Sequence, residues 1–175
     1  MLGITFLDEI SSHKEVRTPA KILDLLRERM KNTFKSFGNE NQNGLDITLC
    51  QIDTQTNTLH YSGANNPLWI VRKGYLIEYK ATHNPVGFYP KEIPFEGRKI
   101  QIEKDDMIYL FSDGFRDQFG GKSNTKYGRK KFRELLLNVH KLPVEKQKKE
   151  LMQTFQNWKG KASQIDDVTI MGIKY

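Results

Sequence analysis

Apolar residues recur at two different spacings along this chain, and the change of spacing divides it into elements. Ile22, Leu26, Met30, Phe34 and Phe37 return every three or four positions, the repeat of a helix that buries one stripe. Thr18 stands ahead of them as a cap, and Pro19 takes the first turn, where a missing N–H is harmless. Residues 1–12 read as a shorter helix, with Leu2, Phe6 and Ile10 four apart. After the polar link GNENQNG (38–44) the repeat drops to two. Segments Leu45 to Asp53, Thr58 to Gly63, Pro67 to Arg72 and Tyr75 to Tyr79 are separated by a TQTN turn, an Asn-Asn-Pro turn and a Lys73-Gly74 hairpin turn. This pattern predicts an antiparallel meander. Strands near 95–102 and 106–111 follow, joined by a turn at Glu103–Asp105, then helices near 128–140 and 143–158 and a last strand at 167–173. In the last helix Val144, Lys148, Leu151, Phe155 and Trp158 share one side, with the lysine stem lying along it. Strand runs between helix pairs make the fold class α+β.

Composition narrows the picture. With 175 residues, 37% hydrophobic and 28% charged, the chain can bury a core of its own, and residues 1–175 are expected to form one domain. The one cysteine, Cys50, excludes an internal disulfide, and its place in the alternating LDITLCQI segment makes it a small buried hydrophobe. No run approaches the roughly 18 apolar residues of a membrane span. The first residues also lack the basic-then-apolar order of a signal peptide, so the expected location is the cytoplasm. The net charge of +7 raises the question of nucleic acid. Much of the excess sits in Arg129, Lys130, Lys131 and Arg133, then Lys141, Lys146, Lys148 and Lys149, within two amphipathic helices whose solvated faces account for it. No zinc-finger spacing, RNP-type strand or helix-turn-helix pattern accompanies the charge, which ranks nucleic-acid binding last. A basic rim equally suits an acidic or phosphorylated protein partner.

Two acidic motifs carry the candidate chemistry: FSDGFRDQ at 111–118, after the apolar run MIYLF, and QIDDVTIMGI at 164–173. Each sets a carboxylate beside a strand end, Asp113 in the first and Asp166 and Asp167 in the second. Two sheet termini that bring such oxygens together build a site for a hard cation, because Mg²⁺ and Mn²⁺ prefer carboxylates and water. Taken singly, Ser-Asp-Gly is an ordinary turn and Asp-Asp an ordinary loop end. Asp46 alternates with Leu45 and Ile47 and reads as an outward strand residue. His13, His60, His83 and His140 are scattered, which excludes a zinc site of ordinary spacing. Neither Ser62-Gly63 nor Ser112-Asp113 is a nucleophile-elbow sequence, and Asn65 and Asn66 fit turn chemistry before Pro67.

Five blocks together, GLDITLCQID (44–53), YSGANNPLWIV (61–71), NPVGFY (84–89), DMIYLFSDGFRDQFGG (106–121) and DDVTIMGI (166–173), resemble the metal-dependent protein serine/threonine phosphatases of the PPM type, in the bacterial branch named after the SpoIIE sporulation phosphatase. The resemblance implies a four-layer α-β-β-α sandwich of two antiparallel sheets flanked by helices. It further implies Mn²⁺ or Mg²⁺ ions bound through Asp113 and Asp166, the same two residues serving catalysis, while Asp167 steadies the loop and Asp117 supports the ligands. The implied reaction is attack of a metal-activated water on phosphoserine or phosphothreonine, with no phosphoenzyme. The implied partner is a phosphorylated protein such as an anti-sigma-factor antagonist. Family members also carry an upstream strand with an aspartate and an Asp-x-x-Gly-His-Gly turn, which Asp8, Glu9 and Glu15 do not replace. The chain is therefore expected to be the C-terminal majority of such a domain, lacking the N-terminal strands and with impaired activity. Raw sheet edges would then favour a homodimer, and residues 1–12 would be less ordered than the 45–79 segment. A non-catalytic interaction module derived from the same fold is the alternative.

Overall fold

The computed structural model describes residues 2–12, 18–36 and 44–175, excluding the side chains of Leu2, Ser12 and Ser36. It divides into two compact units, Met1–Leu68 with Tyr79–Ile102, and Trp69–Glu78 with Glu103–Tyr175.

The first unit sets two helices, α1 (Leu2–Ser12) and α2 (Pro19–Ser36), with a three-stranded antiparallel sheet. Its strands are β2 (Ile47–Asp53), β3 (Thr58–Ala64) and β7 (Arg98–Gln101), with β3 in the middle. Thr18 begins α2 as expected: its carbonyl accepts the Ile22 N–H at 3.0 Å and its hydroxyl the Lys21 N–H at 3.4 Å. The buried stripe of α2 is Leu23, Leu26 and Met30, packed with Ile10, Ala64, Val86 and Phe95. Ile22 and Phe34, expected at its centre, lie at its margin. Phe37 and most of the polar link fall outside the described residues. The predicted 45–53 strand is interrupted at Asp46: Gly44–Leu45 (β1) pairs instead with Val86–Gly87 (β6), and only Ile47–Asp53 pairs with β3.

The second unit holds a four-stranded antiparallel sheet in the order β11 (Ile170–Lys174), β8 (Met107–Phe111), β4 (Leu68–Arg72), β5 (Tyr75–Tyr79). Helices α4 (Arg129–Val139) and α5 (Val144–Lys159) accompany it. Trp69, Phe111, Phe115 and Phe132 make an edge-on and tilted aromatic core, with neighbouring ring centroids 4.8 to 5.7 Å apart. A short helix α3 (Gly114–Asp117) and a small hairpin, β9 (Phe119–Gly120) with β10 (Thr125–Lys126), were not legible from periodicity, each element being only about one repeat long.

The predicted 45–79 meander divides between two sheets, with β2 and β3 in one and β4 and β5 in the other; β7 and β8 likewise lie in different sheets. Each junction carries a non-glycine residue with left-handed backbone, Asn65 at φ 59° and Asp105 at φ 69°. Alternation reports which face a residue occupies and says nothing about which strand lies alongside. In α5 the buried polar residue is Gln147 in place of Lys148, because Gln147 can both accept the Tyr109 hydroxyl (2.7 Å) and donate to the Leu142 carbonyl (2.9 Å). Val144 is exposed. The last strand begins at Ile170, three residues later than predicted, since residues 167–169 are held by Ser112.

Candidate metal centre

β8 and β11 are antiparallel neighbours whose register sets Ile170 opposite Phe111. The C-terminal end of one and the N-terminal approach to the other therefore meet, carrying Asp113 and Asp166 to the same end of the sheet.

Ser112 stitches that meeting point. Its N–H donates to the Thr169 carbonyl at 3.0 Å, and its hydroxyl donates to the Asp167 carbonyl at 2.8 Å while accepting the Thr169 N–H at 3.0 Å. Gly114 lets the two backbones close up: a Cβ there would stand 2.3 Å from the Asp167 oxygen and 2.9 Å from its carbonyl carbon. No left-handed angle is involved. The Ser-Asp-Gly motif is more than a turn, because its serine and glycine flank the aspartate and lock it to the second acidic loop. Composition-level reading had no signal for this, since the demand arises from a residue 53 positions away.

Asp113 opens α3, its carbonyl accepting the Asp117 N–H at 3.0 Å, while its own side chain makes no capping bond. The carboxyl group is half-buried. Burial pushes its pKa above the ordinary carboxylate value, and the negative fields of Asp166 and Asp117 push it further, against a smaller opposing pull from Arg116. Asp166 is exposed; its Oδ1 accepts the Asp167 N–H at 2.7 Å, and the Gln164 side chain donates to its carbonyl at 2.8 Å. Asp167 joins the loop through its backbone. Asp117 pairs with Lys126 at 3.1 Å. Asp46 belongs to the first unit, where its exposed carboxylate accepts the Asn65 side-chain N–H at 2.8 Å.

A half-buried carboxylate pressed by a second one is a donor set that suits a divalent cation, which would relieve both burial and repulsion. The fit is partial. Among the described residues, no three His, Cys, Asp or Glu side chains converge into a metal-binding group. An apolar groove of about 700 Å³ in the same unit, between α5 and the β8–β11 face, is lined by Tyr109, Leu151, Phe155 and Ile170 among others; neither Asp113 nor Asp166 lines it.

The fold defines a class. Over its whole length the chain superposes on the SiaA-PP2C domain of Pseudomonas aeruginosa with a TM-score of 0.87 and 23% identity, spanning 67% of that chain. It matches the PP2C phosphatase domain, with a fragment of the regulatory domain, of the cell fate determinant SpoIIE from Bacillus subtilis at TM-score 0.74 and 15% identity, covering 99% of this chain and 48% of that one. The catalytic domain of the serine/threonine protein phosphatase PstP, in complex with two manganese ions, aligns over 98% of this chain and 77% of its own at TM-score 0.66 and 14% identity. Helices with antiparallel sheets arranged as in these structures are the PP2C phosphatase fold. The model of the family Stage II sporulation protein E (SpoIIE) matches residues 2–175, and the chain belongs to that family. No curated protein matches it. Among the described residues no helix is long and apolar enough to cross a membrane.

Proposed function

We propose that residues 1–175 act as one phosphatase domain that removes phosphate from serine or threonine of a protein regulator in bacterial signalling, using Mn²⁺ or Mg²⁺. The observation that carries this reading is the convergence of Asp113 and Asp166 at one end of the β8–β11 pair, within a fold of the PP2C class. Asp113 and Asp166 would hold the metal, which when bound lowers the pKa of a coordinated water and offsets charge on phosphoryl oxygens. Around them, Ser112 and Gly114 keep the two carboxylates at a fixed separation, and the Asp167 backbone carries the loop. The exposed basic side chains of α4 and α5 favour an acidic or phosphorylated protein, such as an anti-sigma-factor antagonist, over a neutral one. We place its action in the cytoplasm.

A second reading is a binding module of the same fold that has lost catalysis. It is favoured by one observation, the lack of a third converging ligand among the described residues. Two carboxylates leave most of a cation's positions to water, so we expect weak Mn²⁺ binding and slow hydrolysis of an aryl phosphate by this chain. Manganese titration followed by electron paramagnetic resonance checks the site: Asp113→Asn and Asp166→Asn should each abolish the binding, and Asp46→Asn should not. Binding that survives both substitutions would remove the assignment.

A further inference from the structure

We propose, independently of any catalytic role, that the outer edge of β11 is a self-association surface on which a second copy of this chain pairs antiparallel. β11 ends the sheet of the second unit, with β8 as its one neighbour. The ladder fixes which of its backbone groups face out. The Ser112 N–H donates to the Thr169 carbonyl and the Tyr175 N–H to the Asp106 carbonyl, both at 3.0 Å, and in an antiparallel pair such bonds recur at every second residue. Met171 and Ile173 therefore bond to β8, and the N–H and C=O groups of Ile170, Gly172 and Lys174 point outward. Among the described residues none bonds to them. The opposite edge of the same sheet is covered: at β5, Arg133 of α4 donates to the Leu76 carbonyl at 3.2 Å and Arg129 pairs with Glu78. An edge with free backbone groups is a template for another strand.

The order of residues along β11 makes that other strand a second β11. A two-fold axis through Gly172, normal to the sheet, sets Gly172 against the partner's Gly172 and Ile170 against the partner's Lys174, each pair exchanging backbone bonds. No other centre pairs all of the outward residues. Lys174 is held by Asp105 at 3.3 Å, so its stem can lie along the partner's Ile170 while its charge stays paired. Like charges do not meet across the strands. On the other face Met171, which is 55% exposed, stands opposite the partner's Ile173 and loses apolar surface to water no longer. Ile170 and Gly172 also line the apolar groove beside α5, so the same axis sets the grooves of both copies side by side on one face, next to the exposed Met152.

The test is sedimentation velocity of the full chain from about 1 to about 500 µM, in about 0.3 M salt to screen the mutual repulsion of two chains of net charge +7. A monomer–dimer equilibrium is expected within that range, since one strand pair is a small interface. Lys174→Pro removes an outward N–H that β8 does not use, and Ile173 already has the extended backbone that a following proline requires. It should weaken the dimer ten-fold or more while keeping the fold. Met171→Glu, which sets a carboxylate against the partner's Ile173, should do the same. Tyr75→Glu, on the exposed side of the β5 edge, should change the affinity less than two-fold. Thermal melts at a concentration where the parent is monomeric establish that each variant is folded; should Lys174→Pro melt early, Met171→Glu decides alone. A parent that stays monomeric up to the highest concentration overturns the proposal. So does a dimer whose affinity stays within two-fold of the parent in either folded β11 variant, which would place the interface elsewhere.

Discussion

Gly114→Ala is the perturbation that most sharply separates a locked pair of acidic loops from two ordinary turns. Judged by helix propensity, alanine in place of glycine within α3 should stabilise by up to about 1 kcal/mol. The structure demands the opposite sign. The new Cβ would sit 2.3 Å from the Asp167 oxygen, 2.9 Å from its carbonyl carbon and 3.2 Å from Val168 Cγ2, and the first two are backbone atoms with no rotamer to escape into. Forcing a methyl group into a closed contact costs about 1–3 kcal/mol. Moving the Asp167 carbonyl also strains the 2.8 Å bond from Ser112, worth about 1 kcal/mol. Against the propensity gain, a net loss of about 1–3 kcal/mol remains. For a chain of this size that lowers the melting temperature by about 3–10 °C.

The assay is a thermal melt beside a Mn²⁺ titration, with Gly97→Ala as the control. At Gly97 the added Cβ meets only the Ala20 methyl at 3.4 Å, an ordinary contact. Gly114→Ala should melt early and also bind Mn²⁺ more weakly, since Asp166 moves with the displaced loop. If it melts within 1 °C of the parent and titrates the same, the close approach of the two loops is wrong, and with it the argument that Ser112 and Gly114 set the carboxylate separation.

Three further outcomes follow from polar groups elsewhere, Asp106 and Gln147 buried and Cys50 half-buried where the sequence suggested full burial. The Asp106 carboxylate is 1% exposed and receives Arg72 through Nε (2.8 Å) and Nη2 (2.6 Å), with the Glu103 N–H adding a third bond at 2.9 Å; Arg72→Ala should cost about 3–5 kcal/mol in a denaturant melt, the loss typical of a broken buried pair. Gln147→Leu should cost about 1–3 kcal/mol by stranding the Tyr109 hydroxyl, and Tyr109→Phe in the same chain should recover part of it, because removing both partners is milder than removing one. Burial pushes the Cys50 thiol from 9.0 up to about 12, so native protein should resist iodoacetamide at pH 9 while urea-unfolded protein reacts. The folded state holds this proton more tightly, so the thiol's stabilising contribution is complete below pH 9 and declines toward pH 12; Cys50→Ala should flatten that part of the stability profile.

Much of the fold was legible because its helices and long strands bury one face. α2, α4, α5 and the strands β3, β4, β5 and β8 lie where spacing puts them, and the Lys73-Gly74 turn has positive φ at both residues, 50° and 83°, as a two-residue hairpin needs. The hairpin partners β2–β3 and β4–β5 were legible from their turns, but the pairing of β4 with β8 was not. Leu68–Arg72 and Met107–Phe111 are nearly continuous apolar runs that could pair on either side, and what assigns them to one sheet is their mutual register, Trp69 with Tyr109 and Ile70 with Ile108. Gln147 was missed for a related reason. A polar residue in a buried stripe is explained only by the hydroxyl and carbonyl it meets, both contributed by other elements.

The candidate site shows the same division in a smaller space. That Asp113 and Asp166 lie at one end of the sheet could be anticipated from the sequence because each adjoins a strand end, and strands that pair antiparallel bring opposite ends together. Ser112 and Gly114 could not, since their roles depend on what stands across the gap, the Asp167 carbonyl. Asp46 is the instructive contrast. It has the same functional group and also breaks a strand, yet its carboxylate is exposed and already accepts the Asn65 amide, so no burial or repulsion remains for a cation to relieve. Asp113 carries both, from its own half-burial and from Asp166 and Asp117, only partly offset by Arg116, and that difference in surroundings is what distinguishes it from Asp46.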